Sequence, residues 1–178
     1  MNEFQSYEYT IKQRCEGIVL AKRICLIAIY ILCVLILLGL GFITRIFVPF
    51  LALVPLCMWI LIYFTWRYVD VEFELSLVSG TLTLSKIFGG KSRKRIFETC
   101  IKDMVAILPH TEENYEKVLR FSPTVEYRAL SSDSSENAYF ALFLSEKEEK
   151  AVLFFEPDGE NGKILKIMKF YNASAMTA

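Results

Sequence analysis

The chain has 178 residues, 54% of them hydrophobic, with 20 basic and 20 acidic side chains and a formal net charge of zero. That length holds one soluble domain of ordinary size plus a short membrane region, and the charge balance excludes the general basicity of a nucleic-acid binder. Five cysteines, an odd number with no C-x-x-C spacing, argue against a disulfide framework or a zinc site and for small buried hydrophobes in a reducing compartment.

Residues 1–23 read as a polar N-terminal segment. From Ile24 to Phe64 the only charged residue is Arg45. Residues 24–43 form one uncharged run, and at about 1.5 Å per residue they cross a hydrocarbon core of roughly 30 Å. Residues 46–64 form a second run of nearly the same length. The short connection between them predicts a tight antiparallel hairpin over 24–66. Gly39 and Gly41 let the chain start turning near the far interface, Pro49 sits in the first turn of the second span, and Pro55 predicts a kink. Trp59, Tyr63, Trp66 and Tyr68 cluster where an aromatic belt would end that span. A cleaved signal peptide is excluded, because the leading polar region and the apolar run are too long and no A-x-A site follows. Lys12, Arg14, Lys22 and Arg23 precede the first span and Arg67 follows the second, against a lone Arg45 in the turn. The distribution predicts a multi-pass protein of the cell membrane with both termini in the cytoplasm.

After Arg67 the period changes to two, and residues 67–178 read as one soluble domain. Val71, Phe73, Leu75 and Leu77 alternate with Glu72, Glu74 and Ser76 in a first strand. Ser79-Gly80 makes a hairpin turn into a second strand carrying Leu82 and Leu84. A third strand is expected near Lys94–Cys100. Residues 101–108 continue as a strand, or open with a helical turn. Residues 110–123 read as polar and irregular, with a small amphipathic patch at Tyr115–Leu119. Strands follow at 125–130, 138–145 and 150–156, separated by the loop 131–137 and the charged turn 146–149. Residues 158–172 predict a helix, with Ile164, Ile167, Met168 and Tyr171 on one face and Asp158 or Asn161 as its cap.

Six or seven antiparallel strands and one amphipathic C-terminal helix describe a curved sheet or barrel whose open end the helix covers. In V-E-F-E-L-S-L-V-S-G-T-L-T-L-S-K, S-R-K-R-I-F-E-T-C-I-K-D-M-V-A-I-L-P, A-Y-F-A-L-F and L-F-F-E-P the chain resembles a pleckstrin-homology-like domain. As a whole it resembles uncharacterised small bacterial membrane proteins in which a two-helix transmembrane hairpin precedes such a domain. The resemblance implies an architecture, a membrane α-helical hairpin plus a mainly-β domain, and carries no catalytic signature.

Enzymatic motifs are absent from the sequence. His110 is the sole histidine, and no cysteine lies near it for a zinc site. There is no G-x-S-x-G. Gly89-Gly90-Lys91-Ser92 fails the full phosphate-loop pattern and leads from strand to strand, where a phosphate loop needs a helix. The expectation is a non-enzyme with no cofactor, no metal and no nucleic-acid partner. One feature stands out: Lys86, Lys91, Arg93, Lys94 and Arg95 lie within ten residues with no acid among them. They read either as a solvated hairpin whose cations protect an edge strand or as a lipid-facing patch on anionic headgroups, worth about 1 kcal/mol per residue. The function expected is a membrane-tethered interaction module that orients on anionic lipid and binds a protein partner. The alternative is an accessory subunit of a larger membrane complex, recognised through its helices.

Overall fold

The computed structural model describes residues 6–45, 47–132, 135, 137–145, 148–157 and 162–177. The chain divides into two compact units. One comprises residues 1–13, 72–87 and 91–178, and the other residues 14–71 with 88–90.

The first unit is built on two four-stranded sheets. The first sheet has the order β1-β2-β3-β4, with β1 at Ser6–Lys12, β2 at Val71–Val78, β3 at Thr81–Phe88 and β4 at Ser92–Cys100. β1 corrects the expectation that residues 1–23 form a separate segment. It pairs antiparallel with β2, from Ser6 opposite Val78 to Lys12 opposite Glu72. The reason is a two-residue period: Tyr7, Tyr9 and Ile11 alternate with Glu8, Thr10 and Lys12, and Ile11 is buried. Two cross-strand contacts add to the ladder, from Lys12 Nζ to Glu72 Oε1 at 3.3 Å and from Ser76 Oγ to Glu8 Oε1 at 2.9 Å. Ser79 and Gly80 both have positive φ, as a two-residue hairpin turn demands. Gly80 is required twice over, since a Cβ there would lie 2.9 Å from the Tyr171 ring.

The second sheet has the order β5-β7-β8-β6: β5 at Ala106–Pro109, β6 at Val125–Ala129, β7 at Tyr139–Leu144 and β8 at Lys150–Phe155. β7 pairs antiparallel with β5 and β8, but β6 runs parallel to β8, which departs from the all-antiparallel expectation. A crossover makes this pairing available. The stretch read as irregular, 110–123, contains helix α3 at Glu112–Phe121, capped by Thr111, whose side chain accepts from the Asn114 N–H. α3 packs Val118 and Phe121 on a cluster of Ala106, Leu108, Phe140, Leu142, Val152 and Phe154. The alternate residues Ile107, Ala141, Phe143, Ala151, Leu153 and Phe155 are buried as well. With both faces covered, β7 and β8 carry continuous apolar runs where a half-exposed strand would alternate. Phe97 of β4 lies 4.6 Å from Tyr127 of β6 and 5.0 Å from Phe143 of β7, ring centre to ring centre, where the sheets meet.

The C-terminal helix, α4, spans Lys163–Tyr171 with Gly162, which offers no side-chain cap, before it; of the expected 158–172, residues 158–161 lie outside the described residues. Asp158 and Asn161, expected as caps, lie outside the described residues. Ile164, Ile167 and Met168 are fully buried, as the periodicity predicts. Asn172 fastens the helix end. Its Nδ2 donates to the carbonyls of Ile101, Lys102 and Met104 at 2.9, 3.3 and 3.0 Å. Residues 101–103 are a short 3-10 turn, so the stretch 101–108 takes the second of its two expected forms.

The second unit is an antiparallel helix pair, α1 at Gly17–Thr44 and α2 at Phe47–Thr65. α1 begins seven residues before the expected 24, because Lys22 and Arg23 interrupt the apolar run without disfavouring helix. Pro55 stands inside α2. Three contacts align the pair. Gly41 lies against Phe50, with only 3.1 Å available to a Cβ; Tyr30 Oη and Thr65 Oγ1 are 2.5 Å apart; and Arg23 Nη2 is 3.9 Å from Asp70 Oδ1. Both helices are long and apolar enough to cross a membrane, and few of their residues are buried. All five thiols are unpaired; Cys15 and Cys100, outside the apolar helices, are exposed and not buried hydrophobes, while Cys25, Cys33 and Cys57 lie on the apolar helices themselves.

Candidate functional site

The five cations singled out from the sequence fall on β3, β4 and the turn between them. Gly89 and Gly90 have φ of +55° and +66°, which a glycine pair adopts without strain. The turn is anchored within the second unit. The Gly89 N–H donates to the Asp70 carbonyl at 2.7 Å, and a Cβ on Gly89 would lie 3.0 Å from Arg67 Cβ. Phe88 meets the Tyr68 ring edge-on at 6.4 Å.

The cations differ in what surrounds them. Arg93 forms an ion pair with Glu74, a carboxylate on β2 that is almost completely buried. A buried carboxylate is costly without a partner, so Arg93 serves the fold before it serves any ligand. Arg95, largely exposed, pairs with the half-buried Glu98 at 2.6 Å, a surface contact worth roughly 0–1 kcal/mol. Lys86 Nζ lies 5.7 Å from the centre of the Phe73 ring. Lys91 and Lys94 are exposed. Residues 93–96 form an unbroken exposed stretch of β4, a strand at the edge of its sheet.

Sequence reasoning passed over a second place. A cavity of about 500 Å³ opens between the amino end of α3, the outer face of β6 and β8, and the chain leading into β7. Phe154, Leu130 and Ala138 supply its apolar surface, His110 and Tyr115 its aromatic walls, and Glu112, Glu126 and Arg128 its charges. His110 is held where β5 passes into α3, its N–H donating to the Ala138 carbonyl at 2.8 Å. Its ring stands edge-to-face with Phe154 at 5.3 Å and with Tyr115 at 5.5 Å. On β6, Arg128 Nε donates to Glu126 Oε1 at 2.6 Å. The only signal in the sequence was the alternation of Glu126, Arg128 and Leu130 with Val125, Tyr127 and Ala129, which puts the first three on one face.

Among the described residues no group of three or more histidine, cysteine, aspartate or glutamate side chains is arranged to hold a metal ion. Two sheets with a C-terminal helix closing them define a PH-like domain, here with an apolar helical hairpin between its first two strands. The chain belongs to the family described as Bacterial PH-like domain (DUF6106), whose profile matches residues 4–177. The match includes β1 and both apolar helices, so hairpin and sheets form one family unit. Comparison with curated proteins and with solved structures gives no match.

Proposed function

We propose that this protein is a non-enzymatic, membrane-tethered PH-like interaction module. α1 and α2 cross the cell membrane as a hairpin, both termini and the sheet domain lie in the cytoplasm, and the domain presents a surface to a protein partner. The observation that carries the reading is the apolar exposure of the helices. Ile29, Leu32, Ile36, Leu51, Leu56, Trp59 and Phe64 are each at least half exposed. Apolar surface of that extent is stable in lipid and a liability in water. Arg23 and Asp70 come together where the uncharged run begins, a natural interfacial position. PH-like domains are generally non-catalytic, which agrees with the lack of a catalytic motif in the sequence.

The β3–β4 ribbon sets the orientation of the domain on anionic headgroups through Lys86, Lys91, Arg93, Lys94 and Arg95. A spanning hairpin holds the protein in the bilayer without help, so these cations orient and do not anchor. Arg93 and Arg95 already face Glu74 and Glu98, so substitutions at the exposed Lys91 and Lys94 test the contact while leaving those two pairs intact. The test is amide hydrogen exchange on the full chain in nanodiscs with and without anionic lipid. Protection of residues 91–96 that requires anionic lipid, weakens with salt and disappears in the Lys91→Glu, Lys94→Glu double variant supports the reading. Identical exchange in both lipids overturns the lipid contact.

A further inference from the structure

The cavity beneath α3 has a composition that selects among ligands. At about 500 Å³ it falls within the range of small-ligand sites. The His110 ring meets those of Tyr115 and Phe154 nearly at right angles along it. Aromatic rings attract cations through their quadrupole. Among the described residues the charged lining consists of two carboxylates and one guanidinium beside one imidazole. The guanidinium is already engaged, since Arg128 donates to Glu126 on its own strand. That leaves Glu112, exposed at the rim, with no cationic partner among the described residues. Its carboxylate is not needed as the cap of α3, because Thr111 takes the Asn114 N–H. Glu112 and Glu113 together offset the positive end of the helix, which would otherwise repel a cation.

We infer that this cavity, lined by His110, Glu112, Tyr115, Glu126 and Phe154, binds an organic cation, a guanidinium or substituted ammonium group on an apolar stem. The charged head pairs with Glu112 and lies against the Tyr115 ring, and the stem covers Phe154 and Leu130. An anion is disfavoured by the Glu112 carboxylate, and a bare metal ion by the aromatic and aliphatic walls. Such a cation comes either from a basic side chain of a peptide or from a free amine. In the first case it supplies the partner chemistry of the module proposed above. The site itself does not depend on that reading, since none of its residues belongs to the basic ribbon.

The probe is N-acetyl-arginine amide, titrated into the full chain in detergent micelles while the ring resonances of His110 and Tyr115 are followed. N-acetyl-citrulline amide, equal in shape and uncharged, is the control, and N-acetyl-glutamate the anionic control. Saturable shifts with the arginine probe, absent with both controls, are expected. Glu112→Gln and Tyr115→Leu should each weaken binding about ten-fold or more, and Lys94→Glu should leave it unchanged. A Gly-Arg-Gly tripeptide that binds more tightly than the amide identifies a peptide as the carrier, and equal binding identifies a free cation; both support the site. No saturable shift, equal response to citrulline, preference for the anion, or full binding by a folded Glu112→Gln variant overturns the inference. Loss of binding in the Lys91→Glu, Lys94→Glu variant would overturn its independence from the ribbon.

Discussion

Lys12 and Glu72 stand opposite each other on β1 and β2, their side chains 3.3 Å apart, and residues 13–70 join the end of β1 to the start of β2. The apolar hairpin therefore leaves and rejoins the sheet at neighbouring positions. The sheet is one folding unit interrupted in sequence, and the hairpin is its insertion. Replacing residues 13–70 by a short turn of two to five residues, the span that natural hairpins use, should give a folded domain that needs no detergent. A chain beginning at residue 72 should melt at a lower temperature or aggregate, because β2 becomes an unprotected edge. Circular dichroism and size-exclusion chromatography of the two chains check this. Equal stability would mean that β1 is dispensable. Ile11→Ala in the joined chain should cost about 2–5 kcal/mol as a buried large-to-small change.

The C-terminal helix is part of the core. Ile167 is fully buried, so Ile167→Ala should lower stability by about 2–5 kcal/mol in a denaturant titration. A wild-type midpoint would show that α4 is peripheral.

Asn172 joins the end of α4 to the 101–104 stretch through three carbonyls, and its Oδ1 accepts from the Ala175 N–H. Asn172→Ala strands those groups and should cost about 1–3 kcal/mol. Asn172→Asp should not restore the loss, since a carboxylate cannot donate to carbonyls. Melting of the two variants side by side checks both statements. An Asp variant as stable as the native chain would remove the amide donor from the account.

Two neighbours on β4 should behave differently. Arg93→Ala leaves the buried Glu74 carboxylate without its partner and should cost about 1–3 kcal/mol. Lys94→Ala, on the exposed part of the same strand, should stay within about 0.5 kcal/mol of the native chain. Any test of lipid contact should therefore change Lys91 and Lys94 and leave Arg93 in place.

The parts of the fold legible in the sequence are those whose signal is local. The uncharged runs gave both helices, the alternation from Val71 gave β2 and β3 with Ser79-Gly80 between them, and the Ile164–Tyr171 stripe gave α4. β1 was missed, although Tyr7, Tyr9 and Ile11 alternate cleanly, because its partner lies beyond the whole hairpin. The parallel pairing of β6 with β8 was not legible, since alternation reads the same in either strand direction. α3 was hidden by its polarity: only Val118 is fully buried, and the Thr111 cap carries no glutamate three residues on. The basic cluster was visible as density, whereas its neutralisation by Glu74 depends on two strands that β3 separates. The cavity draws on β5, α3, β6 and β8, and no single segment announces it.

The central claim, that the inserted helices cross a membrane while the domain stays on one side, is tested most directly by the topology of the full chain in cells. Reporters at Arg45, in the α1–α2 turn, and at the C-terminus should fall on opposite sides of the membrane, with the C-terminus cytoplasmic and the protein in the membrane fraction after carbonate washing. Both positions on one side, or release of the full chain by carbonate, would contradict it.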